Sequence, residues 1–281
     1  MPFIAAGRSR PAAKWLGMKM HRLVSGLVAA LAIIVLGTAA GESAGVGLDV
    51  TPAKLEIAIP PGTFYNIPIT IHNSSAQPTH ILASMVDFGV TMNGSYVFER
   101  PGTRPYSLMR WATINPQQFD LAPNSTEQVR LSLAIPKNKH LSGEYAGIVF
   151  FTTRPTRRAG VVAFSARIGT KIYATIPGTV KIDGAIVKMF AAARPQGEIY
   201  RVMFKNTGNA HVYLHGQLQV QRSGQTVEQI AMPSELLVER GGEREITVTG
   251  KKLPPGPYQA IATIDYGGKS LTGGEIAFSV H

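Results

Sequence analysis

The chain has 281 residues, 44% hydrophobic and 16% charged, a balance that excludes a disordered chain and leaves room for one large or two ordinary domains. Five of the 28 basic residues (Arg8, Arg10, Lys14, Lys19 and Arg22) precede the first acid, Glu42, so beyond residue 40 the balance is 23 basic to 17 acidic, a net of +6. That excess, without a dense basic stretch interleaved with aromatics, gives no nucleic-acid site. The absence of cysteine excludes disulfides, thiolate metal sites and thiol catalysis.

The first element is an address. Leu23 to Leu36 is an apolar run preceded by basic residues and followed by Gly37-Thr38-Ala39-Ala40, the tripartite pattern of a secretory signal. Residues 1–40 are therefore expected to be a signal peptide, with Met18 as an alternative start. The rival reading keeps residues 23–40 as an inner-membrane anchor, since extension to Ala40 reaches the lower edge of a bilayer-spanning length. Both put the remainder outside the cytoplasm. Gly41-Glu42-Ser43-Ala44-Gly45 matches the G-x-S-x-G pattern, but the strand and helix that would strain and expose the serine are absent from the surrounding sequence.

From Leu48 onward apolar residues recur with a period of two. Leu55, Ile57 and Ile59 alternate with Lys54, Glu56 and Ala58. Ile67, Ile69 and Ile71 do the same up to Asn73-Ser74-Ser75, as do Val129, Leu131, Leu133 and Ile135. Runs of this kind between Pro, Gly, Asn and Ser clusters predict an antiparallel all-β sandwich. The layout occurs twice. A strand ending at Asn73 and one ending at Asn206 each lead into another strand, then a Gly- or Asn-containing turn, a strand, and a strand opened by Gly143-Glu144-Tyr145 or Gly256-Pro257-Tyr258. The asparagines and glycines are expected to supply backbone angles that bulky residues resist, and the tyrosines to pack a ring while leaving the hydroxyl wet. The first copy carries extra residues, mainly Asp87–Ala112. Between the copies, 161–176 predicts one long final strand of the first domain, with Val162, Phe164, Ala166, Ile168, Ile172 and Ile176 on one face and Val161, Ala163, Ser165, Arg167, Lys171 and Tyr173 on the other. Pro177-Gly178 ends it. The expected architecture is two tandem immunoglobulin-like β-sandwich domains, 46–176 and 179–281.

Four features resemble the periplasmic pilus-assembly chaperones, two-domain immunoglobulin-like proteins that cap fimbrial subunits before an outer-membrane usher takes them. They are Gly47-Leu48-Asp49-Val50-Thr51-Pro52, the turn and strand at 121–135, the long strand ending Lys171-Ile172-Tyr173-Ala174-Thr175-Ile176-Pro177, and Tyr200-Arg201-Val202-Met203-Phe204-Lys205-Asn206 with Ile264-Asp265-Tyr266-Gly267-Gly268. The resemblance implies that the long strand completes a partner's sandwich by β-strand addition, through Val162, Phe164, Ala166 and Ile168 or through its opposite face. It also implies a basic pair in the interdomain cleft for the partner's C-terminal carboxylate. The nearest residues are Lys54 and Lys171, with Pro52 and Tyr173 matching those positions about as well. A cationic pair suits a carboxylate because charge-assisted hydrogen bonds are short and strong.

Other patterns carry less. His211 and His215 share a strand face but gather no third ligand, so no metal is expected. Trp111 with Tyr96, Phe98 and Tyr106 reads as packing before it reads as a ligand platform. Arg154-Pro155-Thr156-Arg157-Arg158 reads as a solvated loop. Asp265 and Glu275 read as solvent-facing hairpin acids, and no nucleophile, base and oxyanion donors assemble. The expected function is that of a non-enzymatic periplasmic chaperone with a protein partner and no cofactor, small-molecule substrate or nucleic acid. The alternative is an envelope structural or adhesion protein using its sandwiches as spacers.

Overall fold

A computed structural model describes residues 47–155 and 164–281. The signal or anchor segment, the serine motif at 41–45 and Val162 lie outside the described residues, as does most of the basic loop. Among the described residues no helix is long and apolar enough to cross a membrane.

The described residues form eighteen strands. The first ten are β1 (Leu48–Thr51), β2 (Lys54–Ala58), β3 (Phe64–Asn73), β4 (Thr79–Val90), β5 (Tyr96–Glu99), β6 (Ala112–Asn115), β7 (Gln118–Leu121), β8 (Thr126–Ala134), β9 (Glu144–Thr153) and β10 (Arg167–Thr175). The remaining eight are β11 (Gly184–Arg194), β12 (Gly197–Asn206), β13 (Val212–Arg222), β14 (Gln225–Ala231), β15 (Leu236–Val238), β16 (Glu243–Thr249), β17 (Gly256–Asp265) and β18 (Thr272–Val280). A single 3₁₀ turn, Met109–Trp111, is the one helical element among the described residues.

Two sandwiches follow in tandem, as the alternation predicted. In the first, sheet β1-β3-β8-β6 packs on sheet β2-β10-β9-β4-β5, with β7 beside β4; in the second, β11-β12-β16 packs on β14-β13-β17-β18, with β15 beside β13. Ile67 and Ile69 on β3 stand across from Leu131 and Val129 on β8. They close one side of a core completed by Ile81, Val149, Phe151 and Ile172 from the other sheet. Val202, Phe204 and Ile246 meet Leu214, Leu218, Val220 and Ile264 in the second core. Each such buried side chain is worth about 1.5–3 kcal/mol of transfer free energy, which lets both sandwiches stand without disulfides. Pro68, within β3, falls where the partner β1 has not begun, since β1 pairs only with Thr70–Asn73. Its missing N–H therefore costs the ladder nothing.

The repeated asparagines work differently from the expectation. Neither Asn73 nor Asn206 has a positive φ, whereas Asn124 in the turn after β7 does, at 51°. Each is instead a buried side-chain staple. The Asn73 amide donates to the carbonyls of Gln77, Leu121 and Ala122, and its oxygen accepts from Ser75 N–H. The Asn206 amide donates to Ala210, Val238 and Glu239, and its oxygen accepts from Gly208 N–H. In each copy one side chain ties the end of a strand to a turn more than 30 residues away. The tyrosines diverge. Tyr258 donates its hydroxyl to the Pro254 carbonyl at 2.8 Å, a corner of the kind found in immunoglobulin-like domains, whereas Tyr145 packs its ring on Trp111, centroids 4.7 Å apart.

Asn206→Ala strands the buried carbonyls of Val238 and Ala210, and should destabilise the second sandwich by about 1–3 kcal/mol. A lowered urea midpoint, followed through second-domain amide signals, tests this; an unchanged midpoint would show that the staple is dispensable.

Candidate functional site

The outer face of the six-stranded sheet, turned away from the core, carries a second apolar cluster of Phe88, Ile148 and Tyr173 with Val86, Ala146 and Phe150. Alternation puts these on the face opposite Ile81, Val149 and Ile172. One end of this face is covered by the second sandwich and the other is open.

At the covered end sits an ionic knot. Glu144, opening β9, accepts from His211 Nδ1 at 2.6 Å and from His211 N–H at 3.1 Å. The two side chains are only 6% and 10% exposed. The His211 ring stacks on Tyr173 at 4.1 Å and stands edge-on to Tyr213 at 5.3 Å. Glu144 N–H donates to Asn209 carbonyl and Gly143 N–H to Thr179 Oγ1. Gly143 has φ 70° and a side chain there would collide with the Asn209 carbonyl, so glycine is required twice over. Beside it, Arg240 lies on the Tyr106 ring at 3.4 Å and donates to the carbonyls of Ser142 and Glu144. Glu239 accepts from Val90 N–H at 2.7 Å and faces Arg104 at 3.8 Å. The hairpin between β4 and β5 completes the junction by accepting Glu245 N–H on the Met92 carbonyl. The extra segment Asp87–Ala112 thus serves as a strut between the sandwiches.

At the open end lies β10. Its partner on one side is β9 throughout, from Arg167↔Thr152 to Thr175↔Glu144. On its other side the parallel strand β2 covers only Lys171–Thr175. Ala53 carbonyl accepts Lys171 N–H and Pro52 carbonyl accepts Thr170 Oγ1. Upstream of that crossing, Arg167–Gly169 has an unpaired edge. The regular strand is shorter than the 161–176 expected, beginning at Arg167. The cause lies in β9, which ends where Arg154 N–H turns to the His80 carbonyl and Pro155 offers no N–H. Ala166 keeps a bond to Thr153, and Ser165 Oγ reaches the Thr153 carbonyl; Phe164 stands clear, 68% exposed. Ile168 is half-buried against the first core. Of the expected partner-facing residues, Phe164, Ala166 and Ile168 therefore run along the open edge.

The structure brings Lys54 and Lys171 together. They are direct register partners in the parallel pairing of β2 and β10, both on the outer face. Lys54 Nζ sits 2.8 Å from Glu56 Oε1 and 5.1 Å over the Tyr213 ring. Lys171 Nζ donates to Tyr96 Oη at 3.1 Å and pairs with no acid among the described residues. The competing matches are poorly placed to take a solvent-borne carboxylate. Tyr173 is 1% exposed, its burial pushing its phenol well above the ordinary range, and Pro52 offers only the carbonyl that Thr170 occupies. Beyond Lys171 the face continues as Tyr96, Phe98 and Phe150, with the Arg167 guanidinium 3.8 Å from the Phe150 ring. Trp111 packs on the core as expected, whereas Tyr96, Phe98 and Tyr106 remain 42–46% exposed.

His215 pairs with Glu235 at 3.3 Å, apart from His211, and Asp265 and Glu275 are exposed. Among the described residues no group of three or more His, Asp or Glu side chains is arranged to hold a metal ion.

No protein-family model matches the sequence, and no curated protein matches it. Solved structures do. The chain is similar to the class 5 fimbriae chaperone CfaA, with a TM-score of 0.47 and 10% identity over 84% of this chain and 99% of that one. It is also similar to the chaperone–tip adhesion subunit complex CsuC–CsuE from archaic chaperone-usher Csu pili of Acinetobacter baumannii, with a TM-score of 0.46 and 10% identity over 82% of this chain and 98% of that one. The CupB2 chaperone of Pseudomonas aeruginosa gives a TM-score of 0.43 and 12% identity over 83% and 100%.

Burial pushes the Glu239 carboxyl above its ordinary 4.5, against the opposing Val90 N–H and Arg104. The folded state therefore holds a proton that the unfolded chain has released just above pH 4.5, and this contribution to stability is lost as pH rises through the folded value. Glu239→Gln keeps an acceptor for Val90 and abolishes the titration. Its stability relative to the parent should rise as pH increases above about 4.5 in urea unfolding; a difference that stays constant with pH would contradict the assignment.

Proposed function

We propose that the protein is a non-enzymatic, periplasmic chaperone-like protein that holds a partner polypeptide by β-strand addition along the N-terminal part of β10. In this reading 46–176 is the binding domain and 179–281 a second domain that walls the cleft. The partner is an exported polypeptide of the pilus-subunit kind. The observation that carries the reading is the unpaired edge at Arg167–Gly169, extended by Phe164–Ala166, in a sheet whose other strands are paired around it. An exposed edge is a template for another strand. Left open beside a 68%-exposed phenylalanine, it suits a protein that binds extended chain. Main-chain hydrogen bonds would supply affinity, and alternate side chains the selection of partner.

Lys54 and Lys171 support the second half of the reading. Two ammonium groups at neighbouring positions on one face give a point of attachment for a carboxylate at the end of an added strand. The side chains offered to the partner's interior are Phe164, Ala166 and Ile168 with Val162 upstream, since Ile168 leans toward the sandwich interior and Lys171 toward the cleft. The docked chain then has its apolar groups completed from one side of β10 and its terminus held on the other.

Phe164→Glu places a charge on the proposed docking edge without touching either core. It should weaken capture of a co-expressed partner subunit about tenfold or more while leaving the urea midpoint unchanged. In the parent complex the amides of Arg167 and Gly169, which face the open side, should gain protection from hydrogen exchange. Undiminished capture by the variant, or no gain of protection, would refute strand addition at this edge.

A further inference from the structure

Glu56 lies where a partner's carboxylate would have to go. It follows Lys54 by two residues on β2, so both side chains project from the same face. Its Oε1 rests 2.8 Å from Lys54 Nζ and 3.8 Å from His211 Nε2. Lys54 and Glu56 are 45% and 50% exposed, so either can move and solvent can reach both. The members of the neighbouring pair cannot: Glu144 and His211 are 6% and 10% exposed, locked at 2.6 Å. The other ammonium, Lys171, rests on a neutral phenol. The open part of the cleft thus holds two ammonium groups and one carboxylate, which leaves it one negative charge short.

We propose that Glu56 is an internal stand-in for the partner's terminal carboxylate, occupying Lys54 in the free protein and moving onto His211 Nε2 when a partner's carboxylate takes its place. The inference rests on the reading of the cleft given above. Both attracting and opposing groups surround the moving carboxylate. Lys54 stands on its own strand. His211 and Tyr213 come from the second sandwich, Tyr173 from β10, and Glu144 from β9 on the far side of the imidazole. A shift of the Glu56 carboxylate from Lys54 toward His211, with a proton taken from solvent onto Nε2, would turn a 3.8 Å approach into a hydrogen bond, leaving an imidazolium that donates from Nδ1 to Glu144 and from Nε2 to Glu56, two glutamates that both belong to the first sandwich. Binding at the cleft would then tighten the junction between the sandwiches. The hydrogen bond to Lys54 holds the Glu56 carboxyl below its ordinary range, and the same bond raises Lys54. The stand-in is therefore charged at neutral pH and competes as a carboxylate. The consequence is selectivity. A chain end must bring both its edge contacts and a free carboxylate to displace Glu56, whereas an internal loop brings only the first.

The test uses a short peptide of alternating valine and serine, made with a free C-terminal carboxylate and as its C-terminal amide, titrated into the full protein. Glu56→Gln should bind the free acid about twofold to fivefold more tightly than the parent does, the range expected for relieving one exposed ion pair. The amide should bind both proteins alike. In a Lys54→Met background the same change should have no effect on either peptide, which closes the cycle on the Lys54–Glu56 pair. Equal tightening of acid and amide, or no tightening of the acid, overturns the stand-in role while leaving strand addition intact. Failure of the free acid to bind both parent and variant overturns both.

Discussion

The arrangement depends on where β2 joins β10. The first stretch of chain is shared between two sheets. β1 pairs with β3 in one, and two residues later β2 pairs in parallel with β10 in the other. The changeover falls at Pro52-Ala53, whose carbonyls are taken up by Thr170 Oγ1 and Lys171 N–H. Proline cannot donate to either ladder, which makes it a natural place to leave one sheet for another. Because the changeover meets β10 at residue 170, Arg167–Gly169 has no strand paired on that side, whereas Lys171–Thr175 is paired with β2. The same register sets Lys54 against Lys171. An unpaired edge and a cationic pair thus follow from a single pairing decision. A shift of β2 by one residue would turn Leu55 and Ile57 out of the core and Lys54 into it.

The second constraint is the junction between the sandwiches, which is polar and buried. Glu144, His211, Glu239 and Arg240 each reach across it. Buried charges of this kind add little net stability, because desolvation offsets much of the attraction. What they supply is a demand for particular partners. Glu144 has His211 on two atoms, Glu239 has Val90 N–H and Arg104, and Arg240 has two carbonyls and an aromatic ring. A rotation of one sandwich on the other would strand several of these at once, at about 1–3 kcal/mol each. The orientation of the cleft walls is thereby held by satisfied polar groups, with the strut Asp87–Ala112 adding a backbone bond through Met92.

Much of the fold was written in local pattern. The alternation at Ile67–Ile71 and Val129–Ile135 named strands, faces and core residues because burial on one side of a pleated strand has only one period. The duplication was visible because Asn73 and Asn206 are each needed in place. Their mechanism was not, since a staple to a carbonyl more than 30 residues away leaves no mark beside the asparagine. The length of β10 is hidden for a similar reason: the alternation in its sequence continues upstream of Arg167, but its neighbour β9 stops at Thr153. The site suffered most. Lys54 and Lys171 lie 117 residues apart in the chain, and only the parallel register makes them adjacent. Glu56, Glu144 and His211 come from two strands of the first sandwich and the loop before β13 in the second, and no spacing rule connects them.

The second sandwich supplies an internal comparison for the open edge of β10. Its last strand, β18, ends the order of its sheet, paired with β17 on one side, whereas β10 has β2 outside it along part of its length. The side chains it shows to solvent are Gly273, Glu275, Ala277 and Ser279, small groups and one charge, the dress of an edge protected against further pairing. Ile276 and Phe278 turn inward onto the second core. The corresponding strand of the first sandwich keeps Phe164 in solvent and surrounds its open edge with Phe98, Tyr96 and the guanidinium of Arg167. The two last strands thus differ in what stands beside them. β11 runs alongside β18, its Ile186 N–H donating to Thr272 Oγ1, whereas Arg167–Gly169 of β10 has no strand paired on the side that β2 does not reach.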